Sequence, residues 1–173
     1  MIASRRSSGP PLQIRPITPA DKAALAAGVE HSSDESVYAR FLSPHPRLTS
    51  AELRYFTEVD HRDHEALMAV DPASGNGVGV ARYVRDRERG DSAEIAVFVL
   101  DAWQGRGVGR VLLHRLADRA RAEGIHRFTA LMLNGNRRMR RLLGDLGDPV
   151  VLDNAAGTVE LAVDLHRAAT AAF

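Results

Sequence analysis

Apolar residues recur along the middle of this chain with the spacing of β-strands. Between positions 64 and 100 they occupy every second position or form short continuous runs, and polar turns rich in Gly, Asn and Asp separate these runs. The pattern predicts strands at 66–70, 78–84 and 93–100. Because only short turns join these strands, they should form an antiparallel meander.

Helical spacing appears on both sides of this meander. It is clearest over 105–121, where the apolar residues form one stripe and Gly124 follows as a C-terminal cap. Capping residues and prolines predict earlier helices that start near Thr18 and that cover 34–42 and 50–59. The remaining predicted elements are a first strand at 12–17, a strand at 128–133, a helix at 136–146 and a closing hairpin at 150–163.

The order of these elements predicts a single α/β (α+β) domain. Strand 93–100, helix 105–121 and strand 128–133 form a βαβ unit, so the two strands should be roughly parallel and the crossover right-handed. We therefore expect a mixed, mostly antiparallel sheet of about six to seven strands flanked by helices. This domain should cover 12–173 and follow a flexible tail at 1–11.

Composition narrows the classes of function. The 173 residues are 45% hydrophobic and 26% charged, which is typical of a globular domain. A net charge of +1 leaves no overall field to attract nucleic acid or a membrane surface, and no apolar run approaches the roughly 20 residues that span a bilayer. The absence of cysteine excludes thiolate metal sites and a cysteine nucleophile, and we expect a cytoplasmic protein without a metal centre.

The run Gln104-Gly105-Arg106-Gly107-Val108-Gly109 lies between a predicted strand and a predicted helix. The first amides of a helix lack intrahelical partners and carry partial positive charge, so a turn of bare backbone there binds a diphosphate. Arg106 and Arg110 add charge that suits phosphate oxygens. Glycines also serve plain strand-to-helix turns, and the run alone does not separate the two interpretations. It lacks the third glycine of the dinucleotide pattern, where Leu112 stands, and the Gly-Lys-Ser/Thr of the phosphate loop.

The surroundings of this turn resemble a known family. Gln104-x-x-Gly107-x-Gly109 after strand 93–99, and Asn134-x-Asn136 before a helix that ends at Leu146-Gly147, are similar to the acetyl-CoA signature of the GNAT N-acetyltransferases. The likeness covers residues 12–163 and is strongest to the bacterial Pat-type protein lysine acetyltransferases. It includes Tyr38-x-Arg40-Phe41, Phe56-Thr57-x-Val59-Asp60-His61 and Trp103-Gln104-Gly105-Arg106-Gly107.

The resemblance implies acetyl-CoA as co-substrate and a parallel strand pair, around 93–133, that splays apart to admit the pantetheine arm. Backbone groups of the first strand would pair with the arm, and amides of the glycine turn would hold the diphosphate. A turn with a helix cap is the alternative role for Asn134 and Asn136. The cofactor-binding residues that the resemblance implies are Phe98, Val99, Leu100, Gln104, Gly105, Arg106, Gly107, Val108, Gly109, Arg110, Asn134 and Asn136.

Glu94 is the candidate catalytic base. It is the one acid inside an otherwise apolar strand, and period two places it on one face with Ala96 and Phe98. We expect its surroundings to desolvate it and to favour proton uptake from an acceptor amine, whose unperturbed pKa is near 10.4 for lysine. The alternative is that Glu94 lies at the solvent-exposed start of the strand and pairs with an arginine. By resemblance, the backbone amide of Phe98 stabilises the oxyanion.

The sequence leaves the acceptor open. By likeness the chain acetylates a protein lysine by direct attack in a ternary complex, on a substrate such as a metabolic enzyme; a small amine and a non-catalytic acetyl-CoA-binding role are the alternatives. Acids at Asp34, Glu35, Glu58 and Asp60 would suit a polycationic small molecule. The tyrosine that many family members use as a general acid is replaced by Leu142 and Leu143.

A histidine pair and an arginine cluster are the remaining candidate functional residues in the sequence. His61 and His64 are expected in a solvated loop near the cleft rather than as metal ligands, because no third ligand stands at useful spacing. A basic helix face is expected to be solvated, with contact to a 3′-phosphate or an acidic partner as the alternative. Its members are Arg137, Arg138, Arg140 and Arg141.

Overall fold

The computed structural model describes residues 11–45 and 47–165. The predicted tail at 1–11 therefore lies outside the described residues, apart from Pro11. The described strands are β1 (Gln13–Pro16), β2 (His64–Val70), β3 (Gly77–Arg85), β4 (Ser92–Val99), β5 (Arg127–Leu133), β6 (Val150–Ala155) and β7 (Thr158–Asp164). The described α-helices are α1 (Lys22–Glu30), α2 (Asp34–Phe41), α3 (Ser50–Thr57), α4 (Val108–Ala122) and α5 (Arg137–Gly144).

The strands form one seven-stranded sheet in the order β1-β2-β3-β4-β5-β7-β6. Strands β4 and β5 are parallel, because α4 connects them as a crossover, and the other neighbours are antiparallel. The predicted mixed sheet with a βαβ unit is confirmed. Among the described residues, no helix has the length and apolar character needed to cross a membrane.

Strands β4 and β5 pair over a short distance only. Their parallel register joins Ser92 to Arg127, Ala93 to Phe128 and Glu94 to Thr129, and it ends there. Beyond this point β5 continues to pair with β7 on its other side along its whole length. A gap therefore opens between the C-terminal halves of β4 and β5, as the family resemblance implied.

Helices cover the sheet on both faces. On one face α4 buries Leu112 and Leu116 in a core that includes Tyr83 and Phe128. Burying each such side chain contributes about 1.5–3 kcal/mol to the stability of the fold. On the other face a smaller cluster forms around Met68, with α1 packed against it. The gap between β4 and β5 thus lies between two helical layers.

The glycine turn changes where α4 begins. The sequence predicted a helix from residue 105, but α4 starts at Val108. Gly105 and Gly107 have φ values of +74° and +83°, which a right-handed helix does not tolerate. The three residues before Val108 therefore form an open turn rather than a first helical turn.

Asp21 fastens the start of the helical layer to β1. Its carboxylate accepts two hydrogen bonds from the Arg15 guanidinium, at 2.7 and 2.8 Å, and one from the Thr18 amide, at 2.8 Å. The side chains of Thr18 and Asp21 form the capping box that precedes α1. The Arg15 hydrogen bonds, followed by those of Thr18, hold the pKa of Asp21 below its ordinary value.

We expect Asp21→Asn to lower the free energy of unfolding by about 2 kcal/mol at pH 7, because a helix cap and charge-assisted hydrogen bonds are lost. Since the folded-state pKa is depressed, this stabilisation is complete above the unfolded-state pKa and disappears as the pH falls through the folded-state pKa. Urea unfolding at pH 7 and at acid pH measures both effects. The exposed Asp118→Asn variant is the control, and an equal loss in both variants would contradict the prediction.

Candidate functional site

The gap between β4 and β5 is lined by backbone groups of alternate β4 residues. The amide of Leu100 donates to the carbonyl of Val78 at 3.0 Å, so Leu100 faces β3. Backbone groups alternate in direction along a strand, and Phe98 therefore faces β3 as well. The backbone groups of Val97 and Val99 face the gap, past the point where pairing with β5 ends.

This register corrects part of the predicted site. The amides of Phe98 and Leu100 were expected in the gap, Phe98 as the donor to an oxyanion, but both point into the β3 pairing. Val99 keeps its predicted position, and Val97, which the sequence reasoning missed, joins it. The side chain of Phe98 lines the cleft on the other side of the sheet.

The glycine turn leads from this gap to the start of α4. A Cβ atom at Gly105 or Gly107 would meet nothing within 4 Å, so the outer surface of the turn is open. Gly109 is different, because a Cβ there would lie 3.2 Å from the Leu142 side chain of α5. Arg106 is exposed and stacks on the Trp103 ring, with its Cζ atom 5.3 Å from the ring centroid. An open turn, the first amides of α4 and a nearby guanidinium together fit a diphosphate.

The side chain of Gln104 ties the turn to its neighbours. Its Nε2 donates to the Val99 carbonyl at 3.1 Å and to the Ser36 hydroxyl at 3.0 Å. Its Oε1 accepts from the Arg138 guanidinium, which brings one member of the basic face of α5 to the turn. The end of β4, the turn, α2 and α5 are therefore linked through one amide side chain.

Asp101 strengthens the junction at which the end of β4 and the glycine turn meet α2. It accepts hydrogen bonds from the Ser33 amide at 2.7 Å and from the Ser36 hydroxyl at 2.5 Å. These bonds, that of Ser36 first, hold the pKa of Asp101 below its usual range. The start of α2 is thereby fixed to the segment between β4 and the glycine turn. The sequence did not reveal this contact, because no local pattern relates positions 33 and 101.

We expect Asp101→Asn to loosen the first turn of α2. Losing the charge-assisted hydrogen bonds removes about 1.5 kcal/mol of local stability, which corresponds to roughly tenfold faster amide exchange in that turn. Hydrogen exchange measured by mass spectrometry on peptides covering residues 33–41 tests this. Asp118→Asn should leave exchange in these peptides unchanged. Exchange at the wild-type rate in Asp101→Asn would show that the junction does not hold α2.

The two predicted asparagines make contacts within the protein. Asn136 accepts a hydrogen bond from the Met139 amide at 3.0 Å and caps α5, which is the alternative that the sequence left open. Asn134 follows β5 and donates to the Asn154 side chain at 3.2 Å. Arg110 faces Asp145, with 3.4 Å between the charged atoms. These contacts hold the far wall of the gap and the β6–β7 hairpin in place.

A small cleft, partly open to solvent, lies on the opposite face of the sheet from α4. The predicted short helices border it, since α2 supplies Arg40 and Phe41 and α3 supplies Phe56. Ala96 and Phe98 of β4 form part of its floor. The other lining residues are Leu25, Val29, Leu48, Val80 and Arg82.

Glu94 is on the same face of β4 as Ala96 and Phe98, as predicted, but its side chain is exposed. The expectation of a carboxylate desolvated by an apolar strand is therefore wrong. Arg40 is close enough for the charge of Glu94 to stabilise its guanidinium cation. Within the described part of the chain, Glu94 forms no hydrogen bond or ion pair. The carboxylate is thus available to a molecule that enters from solvent.

His64 occupies different surroundings from those predicted, whereas His61 lies in the loop before β2. His64 begins β2 and is partly buried beside Arg82, with 3.2 Å between His64 Nε2 and Arg82 Nη1. Burial and the charge of Arg82 lower the pKa of His64 to about 4. His61 contacts Glu65, which also binds Arg119 of α4. The described residues include no group of three or more side chains arranged to hold a metal ion.

Neither Tyr83 nor the two leucines of α5 places a general acid in the gap. The buried Tyr83 hydroxyl donates to the Arg62 carbonyl at 2.9 Å, and burial raises the pKa of this phenol to about 12. Leu142 packs against Gly109, and Leu143 is fully buried. Neither leucine side chain carries a proton that it could donate to a leaving thiolate.

A model of the acetyltransferase (GNAT) family matches residues 31–147. Acetyltransferase Pat of Mycolicibacterium smegmatis is 35% identical over 160 residues, which cover 92% of this chain and 47% of that protein. This chain therefore spans about half the length of that curated relative.

Solved structures show the same relationship. The GNAT domain of S. lividans PAT superposes with a TM-score of 0.81 at 37% identity, over 89% of this chain and 90% of that one. The protein yncA of Salmonella typhimurium, solved with its cofactor acetyl-CoA, superposes with a TM-score of 0.71 at 24% identity, over 92% of this chain and 96% of that one. At that identity, the second likeness shows a shared fold.

Proposed function

Because this chain belongs to the GNAT acetyltransferase family, we propose that it transfers the acetyl group of acetyl-CoA to the ε-amine of a protein lysine by direct attack in a ternary complex. Acetyl-CoA is the co-substrate of this family. The observation that carries the proposal is the β4–β5 gap, which ends on the open glycine turn. When bound, acetyl-CoA supplies the thioester that the amine attacks.

The donor half of the site would be held mainly by backbone groups. The gap-facing groups of Val97 and Val99 would pair with the amide-containing arm as an added strand does. Gly105, Gly107 and the first amides of α4 would hold the diphosphate, with Arg106 beside them. Arg138 reaches the turn through Gln104 and would add a second positive charge. None of these contacts requires an acid–base group.

The acceptor half would use Glu94 as the base. Its carboxylate is exposed on the sheet face that also carries the cleft, so an incoming amine or an intervening water reaches it without a change of fold. A base is needed because a lysine amine is protonated at neutral pH and its neutral form is the nucleophile. The gap-facing amides of Val97 and Val99 are the candidate donors to the oxyanion.

The position of the acidic residues favours a protein lysine over a small polycation. Of the acids considered in the sequence, Glu58 binds Lys22 at 2.6 Å, and Asp60 accepts backbone amides of its own loop. Neither they nor Asp34 and Glu35 line the cleft. The cleft therefore presents arginines to an acceptor, whereas binding a polycationic small molecule requires carboxylates.

A transfer assay distinguishes the acceptor classes. Purified protein is incubated with radiolabelled acetyl-CoA, first with a bacterial lysate and then with a panel of small amines. We expect labelled protein bands that carry acetyl-lysine by mass spectrometry. Rapid acetylation of a small amine with no labelled band would overturn the lysine proposal and leave the family assignment intact.

A further inference from the structure

Two arginines lie close together in the cleft. Arg82 of β3 is 6% exposed, and Arg40 of α2 is partly buried. Both line the cleft together with Phe98 of β4. Within the described part of the chain, neither guanidinium forms an ion pair with an acid. Buried arginines are normally paired, so this arrangement needs an explanation.

Aromatic rings and neutral acceptors hold the two side chains in place. The Cζ atom of Arg40 lies 4.8 Å from the centroid of the Phe41 ring, and that of Arg82 lies 4.3 Å from the centroid of the Phe56 ring. Arg82 also donates to the Phe56 carbonyl at 3.2 Å and contacts His64. These contacts orient the guanidinium groups but leave both positive charges unneutralised.

The two cations also disfavour each other. Burial, followed by the charge of Arg40, lowers the pKa of Arg82 to about 9, and burial lowers the pKa of Arg40. Both remain protonated at neutral pH. The Glu94 carboxylate attracts the charge of Arg40 without a hydrogen bond to it. An anion bound between the arginines would relieve this repulsion and replace lost hydration.

We propose that Arg40 and Arg82 form a subsite for a carboxylate of the acceptor, so that the enzyme prefers a lysine with an acidic residue beside it. The inference rests on the proposed function for the lysine itself. The planar guanidinium fork suits a carboxylate, and the apolar walls around it strengthen the interaction by excluding water. Because Phe98 lines the same cleft beside the gap, a group held there belongs to the acceptor rather than to the donor.

Matched peptides test the subsite. One peptide carries Asp next to its single lysine, and the other carries Asn at the same place. We expect the wild-type protein to acetylate the Asp peptide with a kcat/KM about tenfold higher, the effect of one charge-assisted hydrogen bond. In Arg40→Gln the ratio should fall to about twofold or less. Arg115→Gln, an exposed arginine on α4, should keep the tenfold ratio.

A binding measurement gives a readout that does not depend on turnover. Fluorescence polarisation compares the same two peptides with acetyl-lysine in place of lysine, and the tighter binding of the Asp form should be lost in Arg40→Gln. Equal affinity of the wild-type protein for both forms would overturn the subsite. A second result would also overturn the subsite: an Arg40→Gln variant that circular dichroism shows to be folded but that acetylates both lysine peptides equally slowly. Arg40 would then affect the transfer to the amine and not the recognition of the neighbouring carboxylate.

Failure of the lysine proposal gives a separate result. If neither peptide is acetylated while a small amine is, the comparison is repeated with an amino acid and its carboxamide as acceptors. A preference for the free carboxylate that Arg40→Gln abolishes would support the subsite for a small acceptor. Equal rates for the two would overturn it.

Discussion

Glu94→Gln is expected to lower kcat for acetyl transfer by about 10²-fold or more and to leave the Kd for acetyl-CoA unchanged. General base catalysis contributes effects of this size, and the amide has the same shape but does not take up a proton. The exposed position of Glu94 makes a folding defect an unconvincing cause of such a loss.

Glu88→Gln serves as the control, because Glu88 is exposed in the turn between β3 and β4. It should retain full activity. Calorimetric titration with acetyl-CoA then separates binding from turnover. Wild-type turnover in Glu94→Gln at every pH would remove Glu94 from the mechanism. A wild-type protein that binds acetyl-CoA and acetylates no acceptor would instead favour the non-catalytic role.

Much of the donor site follows from local sequence. The alternation within residues 64–100 gave the meander, and a strand, a glycine turn and a helical stripe gave the βαβ unit. Each of these depends on residues near one another in the chain, so a single sequence suffices. The start of α4 was predicted too early because the spacing of apolar residues does not reveal the positive φ angles of Gly105 and Gly107.

The acceptor side depends on contacts between distant residues. Period two placed Glu94 on the correct face, but its exposure depends on how α2 packs over β4. The direction of the Phe98 amide depends on pairing with β3, which side-chain periodicity does not reveal. Likewise, only the folded chain brings Arg40 of one helix beside Arg82 of a strand. Such relations require the tertiary structure.

A second buried charge lies on the other face of the sheet and is fully paired. Glu65 of β2 has no exposed surface. One of its oxygens accepts from Arg119 Nε at 3.0 Å; the other contacts His61 Nδ1 at 2.7 Å and accepts from the Ala66 amide at 2.9 Å. Arg119 donates in addition to the His61 carbonyl at 3.2 Å. The pair therefore fastens α4 to the loop before β2.

Arg119→Ala is expected to lower the free energy of unfolding by about 3–5 kcal/mol, because it leaves the buried Glu65 carboxylate without its permanent cation. Urea unfolding at pH 7 measures the loss, and Arg115→Ala, one turn earlier on α4 and exposed, should show no measurable change. In a Glu65→Gln background the same replacement should cost under about 1 kcal/mol, since no buried charge is then stranded. An equal cost in both backgrounds would mean that Arg119 stabilises the fold by packing rather than by pairing with Glu65.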